Sequence, residues 1–351
     1  MENAMRNETK NNNGKNRIVF FGELMMRLSP PGHELPLQSP RFDAHFGGAE
    51  ANVAASLAIL GHDSAMVSAL PDHTLGHACA GELRRHGVDT TCLRYADGRM
   101  GLYFLSPGAM QRPSEVLYDR ADSVFARTPA KAYDWPRLLA GAQWLHLSGI
   151  NLALGKPTAQ AALAAVRAAR EAGVSISFDC NFRSKLWGSR VLEAPALLRE
   201  IVAEADLIFG NDRDVALILG MDFPYKSAAE RFAAAAAAAF AAWPRLRHMA
   251  ATERKHRSVD HQELAGMLAV RERVLSTKAY ALSGIVDRIG GGDAFAAGLL
   301  HGLLRHMSDK DALDFAIAAA CLKHSIPGDV NLLREADMRA FLGQGGFEVK
   351  R

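Results

Sequence analysis

The chain has 351 residues, with 41 Lys plus Arg against 38 Asp plus Glu, and 49% of it is hydrophobic. Those proportions exclude disorder as the main theme and leave enough apolar material for one large or two modest domains. A formal charge of +3, with bases and acids interleaved all along the chain, gives no footprint for nucleic acid or an acidic membrane surface.

Residues 1–16 are polar and Asn-rich, with no apolar h-region, and are expected to be a disordered leader. The apolar run at 17–22, Arg-Ile-Val-Phe-Phe-Gly, suits a buried strand of a mostly parallel sheet. The next stretch, 24–46, holds Pro30, Pro31, Gly32, Pro36 and Pro40 and reads as irregular chain that does not fill a core. Val53, Leu57 and Leu60 recur at helical spacing over 49–60, with Gly61 in the stop position.

Strands at 64–69, 144–147, 174–179 and 206–209 then alternate with helices at 75–86, 157–172, 192–205 and 212–219. The alanine run at 233–239, closed by Trp243-Pro244, predicts an outer helix, and a further strand is expected at 247–251. Such alternation predicts an α/β fold whose mostly parallel central sheet is covered on both faces. Two short β-like runs, 102–105 and 115–120, interrupt the rhythm and predict a hairpin outside the main sheet. Together with 24–46 it would make a small lid over the strand ends, where α/β folds bind ligands. The lid is thus expected as inserted segments at about 24–46 and 98–120 of one domain spanning 17–351.

Cys79, Cys92, Cys180 and Cys321 stand singly, so reduced thiols in the cytoplasm are expected rather than a zinc module or disulfides. No stretch of 18 uncharged apolar residues is present to read as a membrane-spanning helix. His73 and His77 lie one helical turn apart beside Asp72, but without a third ligand or an H-E-x-x-H glutamate they read as a solvated first turn.

The strongest chemical signal is Asp287-Arg-Ile-Gly-Gly-Gly-Asp293, which runs directly into an apolar helix at 294–306. Three glycines at a helix start leave backbone N–H groups unobstructed and aligned with the helix dipole, the arrangement that holds an anion such as phosphate. A carboxylate there would repel phosphate unless its task is to take a proton from the attacking group. In the competing reading the glycines only turn the chain and Asp293 caps the helix. Other phosphate and hydrolase signatures are missing: Gly155-Lys156 is followed by Pro157, no G-x-G-x-x-G follows a strand, and there is no G-x-S-x-G.

Gly-Gly-Gly-Asp293 opening a late helix, with Gly47-Gly48-Ala-Glu-Ala-Asn52 near the start, resembles the ribokinase-like (PfkB) sugar kinases from Arg17 onward. Longer phrases resemble the 2-keto-3-deoxygluconate kinases of that family: Phe21-Gly-Glu-Leu-Met25, Gln111-Arg-Pro113, Tyr118-Asp-Arg120, Phe178-Asp-Cys-Asn-Phe-Arg183 and Lys323-His-Ser-Ile-Pro-Gly-Asp329. The resemblance implies a three-layer αβα sandwich with a β lid, and transfer of the γ-phosphoryl of Mg-ATP to the terminal hydroxyl of 2-keto-3-deoxygluconate. It makes Asp293 the catalytic base and the N–H groups of Gly290, Gly291 and Gly292 the anion hole for the transferring phosphoryl. Arg183, with Asn181 beside it, would read the substrate carboxylate, and Arg120 is the second candidate. Gly48, Asn52, Tyr103, Tyr118 and Asp329 would contact the sugar. ATP would meet Asn211, Thr252, Arg254, Ser258, Gly290 and Gly292.

Two departures from the family pattern stand out. The usual Asp-Thr-Thr before the glycines is Asp287-Arg288-Ile289, and the usual N-x-x-E is Asn211-Asp-Arg-Asp214, one methylene shorter. Asp214 would then reach Mg²⁺ through water. A neutral-sugar kinase of the same fold, and a sugar- or nucleotide-binding regulator that has lost the chemistry, are the alternatives. Open edges of the lid strands predict a homo-oligomer, with the sugar acid and ATP as the small-molecule partners.

Overall fold

The computed structural model describes residues 17–343, so the expected leader at 1–16 lies outside the described residues. In chain order the strands are β1 (Arg17–Phe21), β2 (Met25–Ser29), β3 (Asp43–Gly47), β4 (Asp63–Pro71), β5 (Leu93–Ala96), β6 (Gly101–Ser106) and β7 (Glu115–Asp119). They continue with β8 (Ala142–Ser148), β9 (Ser175–Asp179), β10 (Leu207–Phe209), β11 (His248–His256), β12 (His261–Val270), β13 (Arg273–Ser276) and β14 (Tyr280–Ser283). Ten of them form one sheet in the order β13-β12-β11-β10-β9-β8-β1-β4-β5, with β14 also paired to β12. From β11 to β5 every pairing is parallel, and β12 turns the sheet antiparallel at one end.

Successive residues of β1 show why this sheet needs cover on both faces. Val19 and Phe21 join one apolar cluster, with the helices Lys156–Glu171, Ala194–Val202, Asp212–Leu219 and Ala228–Ala242. Ile18 and Phe20 join the other, with the helices Ala49–Ile59, Thr74–Arg85, Gly291–Leu304 and Asp309–Lys323. A parallel sheet buried on both sides reads as a continuous apolar run, as β1 does. The alanine-rich helix Ala228–Ala242 starts on a reciprocal Ser227–Glu230 capping box and anchors through buried Phe232 and Phe240.

A second sheet of four strands, β3-β2-β6-β7, stands apart from the first. The antiparallel hairpin of β6 and β7 was expected. The strands β2 and β3, inside the stretch read as irregular, were not. Met25, Arg27 and Ser29 alternate inward along β2, and the central buried residue is an arginine, so the period-two apolar signal of a strand is missing from the sequence. The parallel pairing of β2 with β6 joins the two inserted segments into a single lid.

Candidate active site

Between the lid and the carboxyl ends of the main strands lies a cavity of about 480 Å³. Asp179 closes β9 and Phe209 closes β10, and both face this space, where open α/β sheets present ligand sites.

The floor is built by the helix Gly291–Leu304. Gly290 precedes it with φ 79°, a left-handed conformation, and a Cβ there would lie 1.9 Å from the Asp329 carbonyl oxygen, so only glycine fits. Open space surrounds the site of a Gly292 side chain. The first N–H groups of the helix therefore face the cavity unhindered. Asp293 is the third residue of the helix, not its cap, which removes the reading of that carboxylate as a plain N-cap. Its Oδ2 accepts from the Asn52 amide at 2.6 Å. Burial pushes its pKa up to about 7, the Asn52 hydrogen bond opposes the shift, and the Asp329 and Glu50 carboxylates add to it.

Asp179, one strand away, is pushed up to about 8 by burial and by its carboxylate neighbours Asp293, Asp214 and Glu50. Glu50 is buried beneath the floor, where its Oε1 accepts from Ser148 at 2.6 Å and from Asn151 at 2.9 Å.

Arg183 follows Asn181, which holds a left-handed φ of 36° just after β9. Its Nε donates to Asn181 Oδ1 at 2.9 Å, and among the described residues the terminal nitrogens have no hydrogen-bond partner at the rim of the cavity. Arg120 is placed otherwise. It is buried, and its Nε and a terminal nitrogen donate to Glu23 Oε2, while Ser123 donates to the other Glu23 oxygen. Arg120 also lines the cavity, but with its charge matched by Glu23 it is less free than Arg183 to take up a substrate carboxylate.

The lid contributes Tyr103 and Tyr118, cross-strand partners with ring centroids 5.8 Å apart. Tyr103 is buried and donates to Asp329 Oδ2, while the other Asp329 oxygen lies 3.0 Å from Arg27. Arg27 also pairs with Asp287 at 2.7 Å, so one buried guanidinium ties the lid to the segments on either side of the glycine triplet. Gly48 lines the cavity, and its missing side chain admits the Glu23 carbonyl, 2.2 Å from where a Cβ would lie. Asn52 keeps its Oδ1 buried without a partner.

Asn211, Asp214, Thr252 and Arg254 line the cavity as well. Asp214 Oδ2 accepts from the Asn211 N–H at 2.8 Å in a capping box, so the shortened N-x-x-D also closes a helix start. Arg254 and Arg288 both line the cavity and neither pairs with a carboxylate among the described residues. Ser258 is outside the cavity, in the turn after β11, where its hydroxyl donates to Asp260 at 2.7 Å.

Glu23, Glu50, Asp179 and Arg288 were not singled out from the sequence. Asp179 was legible as the last residue of a strand in a phrase already noted, and Arg288 as a charge set directly before the glycines. Glu23 and Glu50 also lie in phrases already noted, but their roles could not be read there, because their partners are 97 to 101 residues away. His73 and His77 lie elsewhere: His73 accepts from Leu75 N–H at the helix start and His77 pairs with Asp72 at 2.9 Å.

Residues 15–250 and 262–335 match the pfkB family of carbohydrate kinases, and the chain belongs to that family. The gap in the match, 251–261, takes in Thr252, Arg254 and Ser258. A 2-dehydro-3-deoxygalactonokinase of Haloferax volcanii is 31% identical over 342 residues, 95% of this chain and 99% of that protein. A fructokinase of Klebsiella pneumoniae is 31% identical over 330 residues, 88% of this chain and 92% of that one. The crystal structure of 2-dehydro-3-deoxygluconokinase from Thermotoga maritima superposes with a TM-score of 0.89 at 37% identity, covering 93% of this chain and 99% of the other. The ribokinase-like sandwich with a β lid is thereby the fold of this chain, and its activity is that of a sugar kinase.

Proposed function

We propose that the chain transfers the γ-phosphoryl of ATP to the terminal hydroxyl of 2-keto-3-deoxygluconate. The observation that carries the substrate class is Arg183, which lines the cavity and, among the described residues, has no carboxylate within ion-pair distance of its terminal nitrogens. A planar fork left open at the sugar end suits a carboxylate, which it can hold in two parallel hydrogen bonds.

Asp293 takes the proton of the terminal hydroxyl, and a pKa near 7 suits a base working at neutral pH. The freed oxygen pair attacks the γ-phosphorus, the bond to the β-phosphate oxygen breaks, and ADP leaves with those electrons. The N–H groups of Gly290, Gly291 and Gly292 face the charge that develops on the phosphoryl oxygens. Asn52 holds Asp293 with its amide and offers its unpartnered Oδ1 to a sugar hydroxyl. Tyr103, Tyr118 and Asp329 close the lid over the sugar, with Asp329 kept in place by Arg27.

Kinases of this family use ATP and a divalent metal. The donor set fits that partner: an open helix start, two arginines without carboxylates, and the buried acids Asp179 and Asp214 in the same cavity. Asp214 and Asp179 would hold Mg²⁺ through its waters, with Asn211 and Thr252 beside the nucleotide. A bound Mg²⁺ offsets the charge of the phosphates as the bond breaks.

The Klebsiella fructokinase, equal in identity to the Haloferax enzyme, favours a neutral-sugar kinase as the second reading. Phosphorus NMR of products formed from ATP with 2-keto-3-deoxygluconate, its galactonate epimer, fructose and ribose separates the two. A terminal phosphate monoester on the keto acids supports the first reading, and product from fructose or ribose alone refutes it. Nucleotide binding without any product would leave a regulator.

A further inference from the structure

Lys323 is the last residue of the helix Asp309–Lys323 and is 0% exposed, yet it does not line the cavity. Its Nζ donates to the Ile326 carbonyl at 2.9 Å, its one hydrogen-bond partner among the described residues. No carboxylate there comes within ion-pair distance of it. The nearest acids, Asp287 and Asp329, are both engaged by Arg27, at 2.7 and 3.0 Å. Burial pushes the Lys323 pKa down, the charge of Asp287 and Asp329 opposes that shift from beyond ion-pair distance, and a cation kept in such a place without a direct acid partner calls for a use.

Position supplies one. Lys323 Cε lies 3.3 Å from where a Gly290 Cβ would be, directly against the residue that opens the glycine triplet. Ile326 belongs to the turn 324–329, which is laced to the segment 286–291 at several points. The His324 carbonyl accepts from Val286 N–H at 2.9 Å, Gly328 N–H donates to Asp287 Oδ2 at 3.0 Å, and the Asp329 carbonyl fills the space beside Gly290. The ammonium thus sits at the junction of the turn that carries Asp329 and the loop that carries the anion hole. A helix C-terminus, with its outward carbonyls, is a favourable seat for that charge.

We propose that Lys323 is a positioning residue for phosphoryl transfer, a built-in monovalent cation that holds the 324–329 turn against Gly290 and thereby aims the glycine N–H groups. This rests on the reading of Gly290–Gly292 as the phosphoryl anion hole. Arg27, also buried, is committed to Asp287 and Asp329, and its single charge leaves those two carboxylates with an excess that Lys323 faces from beyond ion-pair distance.

Three variants test it, each assayed with the sugar the parent turns over fastest. Lys323→Met keeps the bulk and removes the charge, Lys323→Gln keeps a donor for the Ile326 carbonyl without the charge, and Lys323→Ala leaves a hole. The proposal expects kcat of the Met and Gln variants to fall by about tenfold or more, short of the roughly 10²- to 10³-fold loss when an anion-hole donor itself is removed, with KM for the sugar within about threefold. It further expects Lys323→Ala to regain rate, saturably, with ammonium or ethylammonium but not with sodium at equal ionic strength. Thermal melts accompany the kinetics, and if the Met variant fails to fold the Gln variant decides. Parent-like kcat in Lys323→Gln overturns the proposal, as does a loss in Lys323→Ala that no cation restores. A parent that phosphorylates fructose but no keto acid refutes the substrate assignment and leaves this test intact, whereas a parent that phosphorylates nothing refutes both.

Discussion

Replacing Asp293 with Asn is expected to do two things at once, remove the base and relieve the fold. The carboxyl ionises near 3.8 in ordinary surroundings and near 7 in its buried place, so the folded chain prefers the protonated form. Stability attached to this group is fully present below about pH 4 and is lost as pH rises towards 7. The shift of about 3 units sets an upper bound of about 4 kcal/mol above pH 7. The side chain is partly open to cavity water, and a gain of about 1–2 kcal/mol in the Asn variant is the working figure. Asn can still accept from the Asn52 amide, now at 2.6 Å from the carboxylate, so no buried donor is orphaned. Thermal melts of parent and variant from pH 4 to 8 should therefore start together and diverge, the variant melting a few degrees higher at pH 8, about 2–4 °C per kcal/mol at most. ADP release by the same variant should fall by about 10²- to 10⁴-fold while the sugar still binds. A variant that melts below the parent at pH 8, or turns over within tenfold of it, would refute both the burial argument and the base.

Arg183→Ala should leave the melting temperature unchanged, since the residue is exposed, and reduce the kcat/KM preference for keto acids over neutral sugars by about 10- to 100-fold, the value of a charge-assisted pair of hydrogen bonds. Arg120→Met should do the reverse: leaving Glu23 buried and unpaired costs about 3–5 kcal/mol, read as a large drop in melting temperature. The pH profile of parent kcat/KM should fall on the acid side with a midpoint near 7, as Asp293 gains its proton. Arg288→Met should raise KM for ATP by about tenfold or more with little change in KM for the sugar, as expected for a charged partner lost from a phosphate; a change confined to the sugar would place Arg288 at the wrong end of the cavity.

What could be read in the sequence follows from how local each signal is. The αβ alternation, the hairpin of the lid and the glycine triplet with Asp293 are written in short stretches, by apolar period and by glycines at a helix start. Those features stand in the fold as expected. β2 and β3 were missed because a strand whose buried centre is Arg27 has no apolar alternation, and its acids, Asp287 and Asp329, are supplied from the far end of the chain. The antiparallel extension through β12, β13 and β14 was missed as well. Arg120 shows the same limit from the other side: the phrase around it points to the cavity that it lines, and only the fold reveals Glu23, 97 residues away, as its partner there. Ser258 was placed by analogy in a segment where the family match itself breaks off.

The central claim, a keto-acid kinase whose specificity lies in Arg183, is tested most directly by the ratio of kcat/KM for 2-keto-3-deoxygluconate to that for fructose, from ADP release in the parent and in Arg183→Ala. The account predicts a ratio well above one in the parent that collapses towards one in the variant. A parent that prefers fructose, or a ratio the substitution leaves untouched, would contradict it.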